Sequence, residues 1–166
     1  RKENAIIKDM SILENGTLVS YDALSNGLGV IHREHQNQAF DEVSEKLFIK
    51  MGDKQDLITS LSGGNQQKVV LLKWLITHPK ILILDNPTQG VDVGSKEEIY
   101  DIIHALANEG VGIILLSNEA NEIIRVCDRT LVLFHGRLQG ELIGKSMSEH
   151  GIMKLATGAK ERVGKS

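Results

Sequence analysis

The fold is decided by residues 61–92, which read LSGGNQQKVVLLKWLITHPKILILDNPTQGVD. The stretch opens on a Ser-Gly-Gly turn and continues in a helical pattern that places Val69, Leu72 and Ile76 on one face. Residues 81–84 form a continuous apolar run, which is typical of a buried strand in a parallel sheet. The strand ends in the carboxylate of Asp85. Turn, helix, strand and acidic loop in this order predict an α/β protein.

The Ser-Gly-Gly turn is a candidate anion site. The hydroxyl of Ser62 can donate a hydrogen bond, and Gly63 and Gly64 allow a ligand to approach the backbone closely. The free N–H groups and the positive dipole end of the following helix point toward the same place. A terminal phosphate suits this arrangement. The alternative is a turn that only caps a helix. The motifs around Asp85 and Asp92 help to distinguish an anion site from a simple cap.

Two acidic residues follow at informative positions. Asp85 stands at the carboxyl end of its strand, where nucleotide-hydrolysing proteins hold Mg²⁺, usually through water. Asp92 lies just beyond, within the segment Gly-Val-Asp-Val-Gly-Ser-Lys of residues 90–96. The signature-like helix, the acidic strand and the Asp-bearing loop, in this order and spacing, resemble the ATPase domain of the ABC transporter family.

The resemblance is most specific to the second nucleotide-binding domain of the duplicated ATPases in ribose-, xylose- and galactose-type importers. It rests on residues 61–68 and 85–96, covers nearly the whole chain, and weakens after about Gly144. It implies an α/β fold, that of an ABC domain truncated before its helical subdomain. Residues 1–75 are then the helical subdomain that ends in the signature helix. Residues 76–145 are a parallel-sheet α/β portion with Walker B, D-loop and a C-terminal hairpin, and residues 146–166 are a short helix and polar tail.

Family logic also implies the roles of the site residues. In ABC proteins each nucleotide is held between the P-loop of one domain and the signature of another. The resemblance therefore implies that Asp85 binds Mg²⁺ through water and that Asp92, at the domain interface, belongs to the ATP-binding set. The other members of that set are Ser62, Gly63, Gly64 and Gln66.

Two departures indicate a half-site that is poorly equipped for hydrolysis. Asn86 occupies the position of the glutamate that polarises the attacking water, and Asn118 that of the switch histidine. An amide cannot accept a proton in the first of these roles. Whether Asn86 is natural or engineered stays open.

No P-loop pattern occurs in the 166 residues. The segment from Gly140 to Ser146 has one residue too few between its glycines, and Gly164-Lys165-Ser166 has Ala159 where the first glycine is required. The resemblance places the Walker A loop before Arg1. We therefore expect the chain to be inactive by itself and to need an assembled protein to bind ATP and Mg²⁺.

The function that the resemblance implies is that of an ATP-binding subunit of a sugar importer, peripheral to the cytoplasmic face of the cell membrane. Its partners would be the first nucleotide-binding domain of the same subunit, or a partner ATPase, and the membrane permease subunits. A nucleoside importer and a non-enzymatic ABC regulatory module are alternatives. A third alternative is a non-transport ABC ATPase of the DNA-repair or translation type. The Gly-Val-Asp-Val-Gly segment of residues 90–94 argues against it. The ATPase does not contact the transported molecule, so the sequence does not identify it.

Composition argues against several other kinds of function and site. A formal net charge of -3 without a basic face argues against nucleic-acid binding. The single cysteine, Cys127, excludes an internal disulfide and is expected to be half-buried. No apolar run approaches the ~20 residues that cross a bilayer, so we expect no direct membrane insertion. None of the six histidines stands at the switch position, and their spacing offers no metal site.

Local patterns predict the remaining elements. Ser11 and Glu14 form a capping box for a helix that runs to about Leu24, followed by a break at residues 25–27. A second helix is predicted over residues 34–50, with an apolar stripe formed by Ala39, Val43, Leu47 and Met51. The later elements are predicted as a helix over residues 95–109 ended by Gly110, a buried strand over 112–116, a helix over 119–127, a hairpin of 130–134 with 137–142, and a helix over 148–156.

Overall fold

The computed structural model describes residues 5–21, 25 and 31–158. The chain forms two compact units, residues 1–114 and 115–166. The helices are α1 (Ile12–Thr17), α2 (Arg33–Lys46), α3 (Gly63–Leu75), α4 (Val93–Asn108), α5 (Ala120–Val126) and α6 (Glu149–Ala156). The strands are β1 (Ile81–Asp85), β2 (Gly112–Leu116), β3 (Arg129–Phe134) and β4 (Arg137–Ile143), and short 3₁₀ turns occupy Leu18–Ser20, Ile58–Ser60 and Gly144–Ser146. The subdomain boundaries at residues 75 and 145 stay a prediction.

The first three helices pack around a common apolar core. Ile12 of α1, Phe40 of α2 and Leu72 of α3 are each 0% exposed. Gly16 of α1 lies where the helices meet, since a Cβ at this position would stand 2.7 Å from both Leu72 Cδ2 and Phe40 Cε2. Only glycine allows α1 to approach its two neighbours this closely.

The predicted capping box of α1 is confirmed. The Ser11 N–H donates to Glu14 Oε2 at 2.8 Å, and the Glu14 N–H donates to Ser11 Oγ at 3.1 Å. The α-helix is shorter than predicted, because it ends at Thr17 and continues as the 3₁₀ turn Leu18–Ser20. Leu24 and the predicted break at Asn26 and Gly27 lie outside the described residues.

Helix α2 ends at Lys46, four residues before the predicted end. Phe48 adopts a left-handed conformation with φ of +50°, which a helix cannot continue through. Val43 and Leu47 of the predicted stripe are buried, whereas Met51 lies beyond the helix. The segment after the helix is held by tertiary contacts that no local pattern reveals.

Strands β1 and β2 form a two-stranded parallel sheet, connected by α4. The prediction that these strands are buried holds for one face of β1 only. Leu82 and Leu84 are 6% exposed, but Ile81 and Ile83 are 63% and 65% exposed. Ile114 of β2 is also exposed, at 51%. Within the described residues β1 is therefore buried on one face and exposed on the other, and β2 has no fully buried residue. Apolar composition alone does not determine which faces of a strand are covered.

Helix α4 begins at Val93, two residues earlier than predicted, because Asp92 caps it. The predicted apolar face is confirmed, since Ile99, Ile102, Ile103 and Leu106 are all buried. Gly110 follows the last turn with φ of +92°, the left-handed conformation expected of a glycine that ends a helix. This helix carries the Asp-bearing loop at its start.

The second unit is an antiparallel hairpin with two helices. Strands β3 and β4 pair from Arg129 with Ile143 to Phe134 with Arg137, with a bulge between Val132 and Leu133. The predicted turn is confirmed, with φ of +48° at His135 and +72° at Gly136. Helix α6 packs on both strands, and α5 packs on α6. Predicted bounds for these elements agree with the structure to within one residue.

Candidate nucleotide-binding surface

The first turn of α3 presents the predicted anion site at the protein surface. Ser62 is the N-cap and is exposed, Gly63 is half-buried and Gly64 is buried. The Asn65 backbone N–H donates to Ser62 Oγ over a long 3.4 Å, so the serine performs the capping role that its position predicts. The first N–H groups of a helix have no partner within it, which leaves them available to a ligand.

Asn65 is a component of this turn that the sequence did not single out. Its Nδ2 donates to Ser62 Oγ at 3.0 Å, and its Oδ1 accepts from the backbone N–H of Lys50 at 3.0 Å. The side chain thus joins the N-cap of α3 to the segment that follows α2. The only local signal was a short amide in the first helical turn, which commonly bonds to nearby backbone.

Gly64 is a packing residue between two helices. A Cβ at position 64 would stand 2.3 Å from Ser95 Oγ and 2.5 Å from Ser95 Cβ. Such distances are not tolerated, so the first turns of α3 and α4 touch directly. Because Gly64 has no side chain, the segment that carries Asp92 and Ser95 can pack directly against the first turn of α3.

Asp92 is the N-cap of α4. Its Oδ1 accepts from the Ser95 N–H at 3.0 Å, and its Oδ2 accepts from the Ser95 hydroxyl at 2.8 Å. The two bonds hold the pKa of Asp92 below its usual value. The bond from the Ser95 backbone has the larger effect on this pKa, and the bond from its hydroxyl the smaller. Both carboxylate oxygens are directed to α4, and the same serine meets Gly64.

A buried cation connects α3, α4 and the segment after α2. Lys68 is 2% exposed, and its Nζ lies 2.8 Å from Glu98 Oε2 and donates to the Phe48 carbonyl at 3.1 Å. The hydrogen bond from Lys68, together with its charge, lowers the pKa of Glu98. No local pattern predicts this pair, because its members are thirty residues apart on different helices.

The side-chain amide of Gln66 forms a hydrogen bond within the protein. Its Nε2 donates to the Leu61 carbonyl at 2.9 Å, which holds the residue before the N-cap against the helix. The geometry therefore gives Gln66 a role in shaping the turn, whereas its predicted contact with nucleotide stays a prediction.

The end of β1 forms a separate polar group. Asp85 is exposed, and its Oδ1 accepts from Asn86 Nδ2 at 2.7 Å. Asn86 has φ of +48°, a left-handed conformation that asparagine adopts more readily than most residues. The amide thus occupies one oxygen of the predicted Mg²⁺ ligand and leaves the other available.

Asn118 lies in an exposed bend between β2 and α5. The preceding residue, Ser117, accepts the Glu119 N–H on its Oγ at 3.0 Å. Cys127 is half-buried as predicted, and burial followed by the charges of Glu122 and Asp128 raises the pKa of its thiol. The described residues contain no group of three or more His, Cys, Asp or Glu side chains able to hold a metal ion.

No helix in the described part of the chain has the length and apolar character needed to cross a membrane.

Comparison with known proteins places these features in a family. A family model described as ABC transporter matches residues 1–89. The chain is 44% identical over 164 residues to the ribose import ATP-binding protein RbsA of Ruegeria sp. (strain TM1040), covering 99% of this chain and 32% of that protein. It is 44% identical over 160 residues to the xylose import ATP-binding protein XylG of Geobacillus kaustophilus, covering 96% and 32%. The chain thus spans about a third of the length of these curated relatives.

Solved structures agree on the fold. The structure of MJ1267, an ATP-binding cassette of an ABC transporter, has a TM-score of 0.74 at 21% identity, covering 89% of this chain and 63% of that one. The ADP- and Pi-bound dimeric structure of the cassette MJ0796 has a TM-score of 0.69 at 22% identity, covering 83% and 58%. At these identities the likeness concerns the fold alone. With a family model that matches more than half of its residues, the chain belongs to the ABC transporter family.

Proposed function

We propose that this chain is part of the ATP-binding subunit of a sugar importer, and that the first turn of α3 closes over ATP held by the P-loop of another domain. The observation that carries the proposal is the exposed N-cap Ser62 at the start of α3. Its hydroxyl stands beside the first turn of the helix, whose leading backbone N–H groups have no partner within the helix. The names of the relatives, which are ribose and xylose import ATP-binding proteins, support a sugar rather than a nucleoside importer.

The residues present fit a terminal phosphate. A helix N-terminus favours negative charge, and Gly63 allows close approach of an anion to the backbone. Ser62 and the first N–H groups of α3 would bind the phosphate, and Gly64 would hold this turn against α4. Bound ATP would supply the energy of domain closure, which the permease uses for transport at the cytoplasmic face of the membrane.

Asp85 fits a Mg²⁺ ligand of the kind that acts with phosphate oxygens and water. Magnesium in nucleotide sites is held by one or two carboxylates plus substrate phosphates. One oxygen of Asp85 accepts from Asn86, and the other would face the ion or its water. Asn86 orients that carboxylate but cannot take a proton from water, so we propose that this half-site is weak in hydrolysis.

The test is the Gly63→Asp variant of the complete importer. A carboxylate at this position would place a negative charge beside the terminal phosphate and fill the space that glycine leaves open. We expect ATP-driven uptake to be lost while the circular dichroism spectrum is unchanged. Asn37→Asp is the matched control, because it adds the same charge on α2.

Uptake at the wild-type rate by the Gly63→Asp importer would contradict the proposal, provided that the variant is shown to be assembled with its permease. Comparing uptake of labelled pentoses with uptake of labelled nucleosides in the same vesicles separates the sugar importer from its alternative.

A further inference from the structure

We infer that Asn65 is a positioning residue that directs the hydroxyl proton of Ser62 toward the terminal phosphate. The inference rests on the proposed function, because it concerns how the same surface recognises its ligand. Asn65 is not among the residues for which the sequence predicts a contact with nucleotide. Its effect is exerted through Ser62.

The orientation of the Asn65 amide is set by its two partners. The backbone N–H of Lys50 can only donate, so the atom that faces it at 3.0 Å must be the acceptor Oδ1. The other end of the amide, Nδ2, then faces Ser62 Oγ at 3.0 Å. An amide nitrogen can only donate, and therefore the serine oxygen is the acceptor in this bond.

This arrangement determines what the serine hydroxyl can do. A hydroxyl has one proton to donate and two lone pairs that accept. Asn65 engages the lone pairs, through Nδ2 at 3.0 Å and more weakly through its backbone N–H at 3.4 Å. Within the described residues the Ser62 hydroxyl donates to no protein acceptor, so its proton is available at the exposed end of α3. The ligand that this hydroxyl selects is an acceptor, which a phosphate oxygen is.

The anchor of the amide lies outside the motif itself. Lys50 lies two residues after Phe48, whose carbonyl accepts from the buried Nζ of Lys68 at 3.1 Å. Lys68 is in turn paired with Glu98 of α4. The donor that orients Asn65 is thus held by packing between α3, α4 and the segment after α2.

The experiment is a double-mutant cycle in the complete ATP-binding subunit, with Ser62→Ala, Asn65→Leu and both together. Leucine has nearly the size of asparagine but no hydrogen-bonding groups. We measure the Kd of the Mg²⁺ complex of a non-hydrolysable ATP analogue, together with KM and kcat for ATP. Asn37→Leu makes the same chemical change on α2 and serves as the control.

We expect Ser62→Ala to weaken analogue binding and raise KM about 10- to 100-fold, the range of a hydrogen bond to a charged group. Asn65→Leu should weaken binding roughly 3- to 10-fold, because the hydroxyl remains but is no longer oriented. The double variant should match Ser62→Ala to within about twofold, since Asn65 acts only through that hydroxyl.

A second readout does not depend on nucleotide. In the same subunit labelled with ¹⁵N-asparagine and free of nucleotide, the Asn65 Nδ2 resonances are identified by their loss in Asn65→Leu. We expect these resonances to shift and their protons to exchange faster in Ser62→Ala, because the acceptor is removed.

The outcomes separate the inference from the proposed function. If Ser62→Ala leaves analogue binding and KM unchanged, the surface is not used and both fail. If Ser62→Ala weakens binding but Asn65→Leu does not, or if the two effects multiply in the double variant, the proposed function stands and the positioning role is overturned. Unchanged Asn65 amide resonances in Ser62→Ala would also overturn it.

Discussion

The contact between Gly64 and Ser95 predicts that the smallest possible side chain at position 64 destabilises the protein. In Gly64→Ala the new Cβ would meet Ser95 Oγ at 2.3 Å and Ser95 Cβ at 2.5 Å. The Oγ can rotate away only by leaving Asp92, to which it donates at 2.8 Å. The Cβ of Ser95 is bound to the backbone of α4, so α3 and α4 must separate.

The expected cost follows from these distances. Inserting a methyl group into a packed contact costs typically ~1–3 kcal/mol. Alanine regains up to ~1 kcal/mol of helix propensity relative to glycine. Contacts of 2.3 and 2.5 Å place the clash in the upper part of that range, so we expect Gly64→Ala to lower the free energy of unfolding by about 1–2 kcal/mol.

Ser95→Gly provides the compensating change. It removes both close atoms and leaves the Ser95 Cα at 3.8 Å from the new methyl, an ordinary van der Waals distance. By itself Ser95→Gly loses the hydroxyl bond to Asp92, and we expect it to cost about 1 kcal/mol. The double variant should be more stable than the sum of the two single effects by ~1–2 kcal/mol, the size of coupling found between contacting residues.

The assay is urea unfolding of the purified chain, followed by circular dichroism and by the fluorescence of Trp74, its single tryptophan, on α3. Gly94→Ala is the matched control, since its Cβ would meet only Asp92 Oδ1 at an ordinary 3.5 Å. Wild-type stability of Gly64→Ala, or strict additivity in the double variant, would refute the packing argument.

The remaining predictions concern nucleotide binding, hydrolysis and stability. The 166-residue chain by itself should bind Mg-ATP poorly and not hydrolyse it, because P-loop groups normally supply most phosphate contacts; calorimetric binding in the low micromolar range would be incompatible with this. Asn86→Glu in the complete importer should change uptake less than ~threefold, because a general base contributes only when the other catalytic groups are present. A gain of ~100-fold would instead identify Asn86 as the main defect. Lys68→Met should lower the free energy of unfolding, measured in urea, by ~1–3 kcal/mol, because the Phe48 carbonyl loses its donor. Glu98→Gln should lower it less, because Glu98 is half exposed. Equal effects of the two changes would argue against this explanation.

Several features were predictable because they depend on neighbours along the chain. The caps at Ser11, Ser62 and Ser148 are local, since each side chain bonds a backbone N–H three residues later. The order of the signature helix, the acidic strand and the Asp-bearing loop was also sufficient to predict the fold and the family.

Other features depend on distant residues and could not be predicted. The early end of α2 is held by Lys68, and the orientation of the Asn65 amide depends on Lys50, which is fifteen residues away. The exposure of Ile81 and Ile83 depends on what covers the sheet and not on the strand itself.

The type and order of the elements, the family, and the polar groups at the start of α3 and the end of β1 all follow from the amino-acid sequence. The packing of Gly64 against Ser95 and the bond from Asn65 to Ser62 become visible only once the chain is folded. The two kinds of feature differ in the distance along the chain over which they act. Propensity and capping act over three or four residues, whereas close packing and amide orientation depend on atoms brought together from separate helices.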